Sequence, residues 1–324
     1  MLKTYITIDT ELSSGAYQNG WGRDFAENFA RTIRCDAGGQ QVGIFHQMDV
    51  MDRYGVKGVF FVDPMAALVW GQRAVVEIVE PILMQGHEVQ LHCHTEWLAL
   101  AGDGLPLELR GVGTGQNIKD FTLDDQIAIL DYAIERLVEA GAPRPEVFRA
   151  GNYGANDDTL AALRAVGVRI DTSFAAALDG PCDIGLQAGN AAPQMRCGML
   201  EMPIAALASR NGTFRHAQIT SISAQEMIAA LVHGEKMQWD AFVMVSHSFE
   251  LFNRQSGKAN AIVLKRFERI CRFLGDHNAR FSTPPMRDFA LQDGSSADYH
   301  LLPHQIGRTG WRMAEQAVAN ALYG

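Results

Sequence analysis

Short, largely apolar runs, one of them (58–62) continuously so, alternate with longer amphipathic stretches along most of this 324-residue chain. Runs at residues 5–8, 58–62, 89–91, 146–149, 168–171, 199–203 and 241–246 have the length and β-branched or aromatic content of strands. Between them, residues 42–54, 73–85, 122–140, 156–166, 223–233 and 259–276 carry helical spacing of apolar side chains. A strand without polar alternation is covered on both faces, and strand–helix alternation implies a parallel sheet joined by right-handed crossovers. No internal repeat or low-complexity linker interrupts the pattern. The expectation is an α/β chain: a single barrel of about seven parallel strands, spanning residues 1–290. A long loop at 12–39 follows the first strand, a glycine-rich loop occupies 99–121, and an extension at 291–324 turns helical and packs outside the barrel.

In a barrel of this kind the chemistry collects at the C-terminal ends of the strands, where the loops share one mouth. Those ends read Asp9-Thr10-Glu11, Asp63, His92-Cys93-His94-Thr95-Glu96, Arg149, Asp171 and His247. One polar residue after an apolar strand is an ordinary cap. Six titratable ends in one chain point to a hydrolytic metal site with acid and base groups around it. His92 and His94 are two apart, so on an extended chain they share a face. Glu96 is next on that face, or lies one turn from His92 if the chain coils. A divalent metal of borderline softness takes imidazole and carboxylate ligands, which His92 and His94 with Glu11 or Glu96 supply. Asp9 shares a strand end and a direction with Glu11 and is the candidate base, with Arg149 placed to hold it by pairing. His247 is the candidate acid, projecting into the mouth opposite Asp9.

Composition removes some alternatives. A formal charge of −9 with a pI near 5.6 and no basic patch argue against a nucleic-acid partner. Five cysteines without a CxxC pair are not a disulfide framework. No run of about 18 apolar residues offers a membrane span. The start of the sequence runs directly into a strand with no charged-then-apolar leader, so the expected compartment is the cytoplasm.

In the order of these residues the chain resembles the polysaccharide deacetylase superfamily, carbohydrate esterase family four. Thr7-Ile8-Asp9-Thr10-Glu11 resembles its Thr-Phe-Asp-Asp motif, and Gly58-Val59-Phe60-Phe61-Val62 its Thr-Phe-Phe-Val strand. Gly86-His87-Glu88 followed by His92 resembles the motif that supplies histidine ligands. Arg149-Ala150-Gly151-Asn152-Tyr153-Gly154 resembles Arg-x-x-x-aromatic-Pro/Gly, and Val243-Met244-Val245-Ser246-His247 the last motif. The resemblance covers residues 4–285. It implies a distorted (β/α) barrel and a metal-dependent deacetylase, commonly with zinc, acting on N-acetyl or O-acetyl groups of sugars. It also implies Asp9 as base, His247 as acid and Arg149 as the residue orienting the base. A backbone N–H near Tyr153 would serve as oxyanion donor, and Asp171 as the support of Arg149 and His247. Two positions depart from the family: its second Asp falls on Thr10, which moves that ligand to Glu11, and its second His falls on Glu96. Either His94 or Glu96 therefore completes the metal set. A carbohydrate made before export would be the substrate of a cytoplasmic member.

Other readings use the same residues. A relative on this fold could cleave a C–N bond of a small amide or ureide. A catalytically silent, metal-stabilised carbohydrate binder would tolerate the two departures, yet it would not be expected to retain Asp9, Arg149 and His247. The amidohydrolase barrels carry their His-x-His pair on the first strand, whereas here it is on the third. Trp97, Asn152 and Tyr153 are the candidate substrate contacts, Trp97 as a stacking platform at the rim. Cys93 is expected to face the barrel wall. His216 is placed to reach the mouth, and His46, His87, His233, His277, His300 and His304 are expected at the surface or as caps.

Overall fold

In the computed structural model, the described residues are 1–323 apart from 179, 255, 293 and 295–297. Seven parallel strands form the main sheet: β1 (Leu2–Thr10), β2 (Gly58–Val62), β3 (Glu88–Cys93), β4 (Val147–Ala150), β5 (Ile170–Asp171), β6 (Met199–Glu201) and β7 (Ala241–His247). Their spatial order is β7-β1-β2-β3-β4-β5-β6. Two short strands complete the sheet. Gln194–Arg196 is antiparallel to β6, and Phe281–Ser282 pairs with the start of β1. The sheet curls, and β6 does not pair with β7. Irregular chain spans that gap instead: Ile204 donates to the Phe174 carbonyl, Ala205 to Val243 and Val245 to Ala217. This is a distorted (β/α) barrel, as expected.

The two-residue period of the strands divides the core. Tyr5, Val59, Phe61, Val147, Ile170, Leu200, Val243 and Val245 fill the lumen. Ile6, Ile8, Phe60, Val62, Leu91, Phe148 and Met244 face the helices. Parallel neighbours in register share a face, and Asp9 is level with His247 on β7 and Phe61 on β2, while His92 is level with Arg149. Asp9, His92, Arg149 and His247 therefore extend the lumen row at its C-terminal end. Asp171 follows the lumen residue Ile170 and is level with Phe148, so it points the other way.

The segment after β1 is less irregular than its glycines imply. It forms helices Ser14–Gln18 and Phe25–Thr32 and a small hairpin of Asp36–Ala37 with Gln40–Gln41. Each helix has a side-chain N-cap, Ser13 and Asp24 respectively, a signal the sequence did contain. Ala206–Ala208 and Phe214–His216 form a further hairpin. The last helix, Ile306–Tyr323, docks on the outer layer through Arg266–Glu315 at 2.9 Å and Arg312–Glu226 at 3.6 Å. Among the described residues no helix is long and apolar enough to cross a membrane.

Candidate active site

Glu11 lies one residue past β1 and His94 one residue past β3, so both reach the mouth just above the lumen row. With His92 they form one cluster, each offering an atom within 4.8 Å of the others. Glu11 Oε2 is 3.1 Å from His92 Nε2 and 2.7 Å from His94 Nε2. The opposite ring nitrogens decide what these contacts mean. His92 Nδ1 is 2.8 Å from the Arg149 carbonyl, which can only accept, so Nδ1 carries a proton. His94 Nδ1 is 3.1 Å from Glu96 Oε2. In neutral rings both Nε2 lone pairs then face a carboxylate oxygen, an arrangement relieved by a shared divalent cation or by a proton on each ring. The carboxylates around the rings make the site attract positive charge, proton or metal alike. Burial would lower the affinity of His94 for a proton, but the carboxylates of Glu11, Glu96 and Asp63 outweigh it and raise its pKa well above the usual range. Burial would raise Glu11, yet the two imidazoles hold it well below the ordinary carboxylate value. Two imidazoles and a carboxylate with outer-shell acceptors fit a divalent metal.

Glu96 stands one layer out. Its carboxylate meets His94 Nδ1 and accepts from Asn152 Nδ2 at 3.0 Å, so the structure groups it with the ring it orients, outside the cluster of three. Thr10, where the family has an acid, donates locally to the Ile8 carbonyl at 3.0 Å. Asp63 sits beneath His94, fully buried. It accepts from the backbone N–H of Met65 and from Trp97 Nε1, each at 3.0 Å, and burial lifts its pKa to about 6. Trp97 is the first correction. It is completely buried, donates to Asp63 and packs on Trp70 and Tyr17, so it has no face to offer a sugar.

Asp9 and Arg149 form a buried pair, Oδ1 to Nη1 at 2.5 Å. Arg149 is further held by Thr7 Oγ1 at 2.9 Å, the Thr172 carbonyl at 3.3 Å and the ring face of Phe61. His247 is beside Asp9 on the adjacent strand, Nε2 to Oδ2 3.8 Å, and not across the mouth from it. The second correction is its support. Asp171 bonds Ser173 Oγ at 2.7 Å and shares its buried surroundings with Glu201 on β6. Burial and then the Asp171 charge push Glu201 well up, so one of the two holds a proton. The partner of His247 is Glu250, Oε1 to Nδ1 at 3.0 Å. Glu250 is itself clamped by Ser246 Oγ at 3.1 Å, Thr220 Oγ1 at 3.2 Å and Gln218 Nε2. Burial would lower His247, but Glu250 first, then Asp9 and Glu11, raise its pKa to about 9. His216 joins this network indirectly, through Gln218 Oε1 at 2.5 Å. Sequence reading passed over Glu250, although its spacing from His247 allows the contact on one turn.

Asn152 and Tyr153 both have left-handed φ, +54° and +58°, a conformation that costs about 1–2 kcal/mol per non-glycine residue and clusters at functional sites. Burial raises the Tyr153 phenol far above its usual value. The turn is wedged against the Glu11-His92-His94 cluster at Gly151, where a Cβ would lie 2.6 Å from the Cys93 carbonyl and 2.9 Å from His94 Cγ. Gly151→Ala is therefore expected to displace His94 and weaken metal retention by about 10–100-fold, the scale of outer-shell changes, as measured by chelator competition. Cys93 is buried in the wall, as expected. His87 is not at the surface: it is buried, accepts from Gly58 N at 3.1 Å, and burial with nearby Lys57 lowers its pKa to about 4.

No family model and no curated protein matches the sequence. Solved structures do match the fold. A candidate polysaccharide deacetylase from Mycobacterium smegmatis is similar over 94% of this chain and 95% of its own, at 16% identity and a TM-score of 0.56. A family 4 carbohydrate esterase from Streptomyces lividans, in complex with acetate, covers 93% and 98% at 10% identity and 0.41. A 4-alpha-glucanotransferase from Thermococcus litoralis matches 94% of this chain and 42% of its own at 10% identity and 0.49. The chain thus shares its barrel fold with the Mycobacterium smegmatis structure, and what it does is argued from the site.

Proposed function

We propose that the protein is a metal-dependent deacetylase that hydrolyses an N-acetyl or O-acetyl group on a sugar. The observation that supports this most is the meeting, on neighbouring strand ends, of a Glu11-His92-His94 cluster with a charge-paired Asp9 and a carboxylate-backed His247. Zinc best suits two imidazoles and one carboxylate, and when bound such a cation supplies Lewis-acid polarisation. Asp9, fixed by Arg149, takes the proton of the attacking water. Hydrolysis of an amide also requires a proton on the departing nitrogen, and His247 Nε2 delivers it while Glu250 steadies the imidazolium. The strained Asn152–Tyr153 turn is placed to aim a backbone N–H at the oxyanion.

Acetate release from N-acetyl and O-acetyl sugars, by protein loaded with about one divalent ion per chain, tests the reading; a metal-replete protein inert on every acetylated sugar would end it. The acid assignment carries its own pH signature. A catalytic acid with a pKa of about 9 keeps kcat/KM high until the pH rises through that value. Glu250→Gln removes the largest of the charges that raise it and leaves Asp9 and Glu11 against the burial that lowers it, so the alkaline limb is expected to move down toward the free-histidine value of about 6.5. An unmoved limb would take His247 out of the acid role.

A further inference from the structure

Behind the turn that carries Asn152 and Tyr153 lies a pair of acids that no motif explains. Asp171 and Glu201 are level on β5 and β6 and follow the lumen residues Ile170 and Leu200, so both point out of the lumen; neither has any solvent exposure. Two buried carboxyls need a cation or a proton between them. The cation that acts on both is Arg149, and its Nη1 is already committed to Asp9. The nearby Cys182 thiol is held neutral by burial and by the same two carboxyls. The oxygen contacts lead to the same count. Asp171 accepts from the Ser173 N–H at 3.2 Å and from Ser173 Oγ at 2.7 Å, and Glu201 Oε1 accepts from the Phe174 N–H at 3.0 Å. Glu201 Oε2 meets no N–H or O–H donor and faces the Asp171 carboxylate. Two acceptors in contact are joined by a proton.

What the pair grips is the exit of β5, and that exit grips the site. The Thr172 carbonyl accepts from Arg149 Nε at 3.3 Å, and Ser173 Oγ accepts from the Ala150 N–H at 2.9 Å. Ala150 leads into Gly151 and the two left-handed residues, a conformation that persists only where surrounding contacts over-determine it. We propose that Glu201 is a positioning residue of the active site. As a neutral carboxylic acid it donates to Asp171, and the resulting clamp braces, through Ser173, the strained turn placed to supply the oxyanion donor. The catalytic half of this rests on the deacetylase reading; the shared proton and the brace do not.

A proton held in the folded protein and absent from the unfolded chain makes folding depend on pH. Burial and Asp171 raise Glu201, so its contribution to stability is complete below the ordinary glutamate value of about 4.3 and is lost as the pH climbs toward the raised value. Glu201→Gln keeps a donor for Asp171 and an acceptor for Phe174 without the titration. In urea unfolding at matched metal loading between about pH 5 and pH 8, the folding constant of the native protein divided by that of Glu201→Gln should fall by about tenfold per pH unit, one proton. A ratio independent of pH would overturn the proposal. Glu201→Leu can neither donate nor accept. Exchange of the Ala150 amide hydrogen should quicken in Glu201→Leu and stay native in Glu201→Gln. In parallel, kcat should fall by up to about a hundredfold in the leucine variant at little-changed KM, the scale of a group misplaced by about 1 Å, and recover in the glutamine variant. Should Glu201→Leu not fold, Ser173→Ala cuts the link without removing either carboxyl and should give the same faster exchange. Native exchange or native kcat in the variant that breaks the link, or a Glu201→Gln as impaired as Glu201→Leu, would overturn the proposal. Faster exchange in Glu201→Leu, reversed in Glu201→Gln, with no acetate released by any of these proteins would keep the brace and remove the deacetylase.

Discussion

His92→Ala is expected to strip the metal and stop hydrolysis together. Its Nε2 is one of three donors, and its Nδ1–H is tied to the Arg149 carbonyl at 2.8 Å, so the same ring joins the cluster to the strand that carries the base's partner. The neighbouring imidazole, His94, with ring centroids 4.9 Å apart, is already a donor and cannot take its place. Elemental analysis should fall from about one ion per chain to near zero, and activity with it. The companion variants assign the outer layer. His94→Ala should lose the ion as His92→Ala does, because His94 Nε2 is 2.7 Å from Glu11. Glu96→Ala should keep it at affinity reduced by about 10–100-fold, since it removes the acceptor behind His94 and no donor. Loss of the ion in Glu96→Ala with retention in His94→Ala would invert that assignment and put the carboxylate in the coordination shell.

The strand ends were legible in the sequence because a barrel turns chain order into position. An apolar run needs its polar terminus somewhere, and the period of two states which termini enter the lumen. The same rule, applied one step further, would have excluded Asp171 as the partner of His247, though its charge still acts on Arg149: Ile170 is a lumen residue, so its successor faces out. That step requires knowing which face Ile170 takes, and a two-residue strand carries too little alternation to tell. Glu250 was missed for another reason. It lies after β7 in a turn, where no periodicity constrains it, and only tertiary contact with Ser246, Thr220 and Gln218 makes it the partner of His247. Trp97 was misplaced because position beside a motif says nothing of depth; the aromatic cluster of Trp70 and Tyr17 that buries it comes from distant segments, one of them the insertion after β1.

Asp9→Asn should lower turnover by about a hundredfold or more, from the lower end of what general acid–base catalysis contributes upward, while leaving the ion in place, because Asp9 is outside the cluster of three. The substitution also removes the charge opposite Arg149, a side chain with no solvent exposure. Breaking a buried pair by removing one partner costs about 3–5 kcal/mol when the other charge is left uncompensated. Arg149 keeps Thr7 Oγ1, the Thr172 carbonyl and the Phe61 ring, and the asparagine retains an acceptor oxygen, so the cost should fall at or below the lower end. Thermal denaturation should thus show a folded but less stable protein, and kinetics taken well below its transition isolate the chemical loss. His247→Ala distinguishes the two proton-transfer roles. An activated acetate ester leaves without a proton, so this variant should lose far more activity on an N-acetyl sugar than on the ester. Asp9→Asn should impair both substrates alike, because both need the water deprotonated. Equal losses on both substrates in His247→Ala would make His247 a binding residue, and a metal-replete Asp9→Asn of normal turnover would move the base elsewhere.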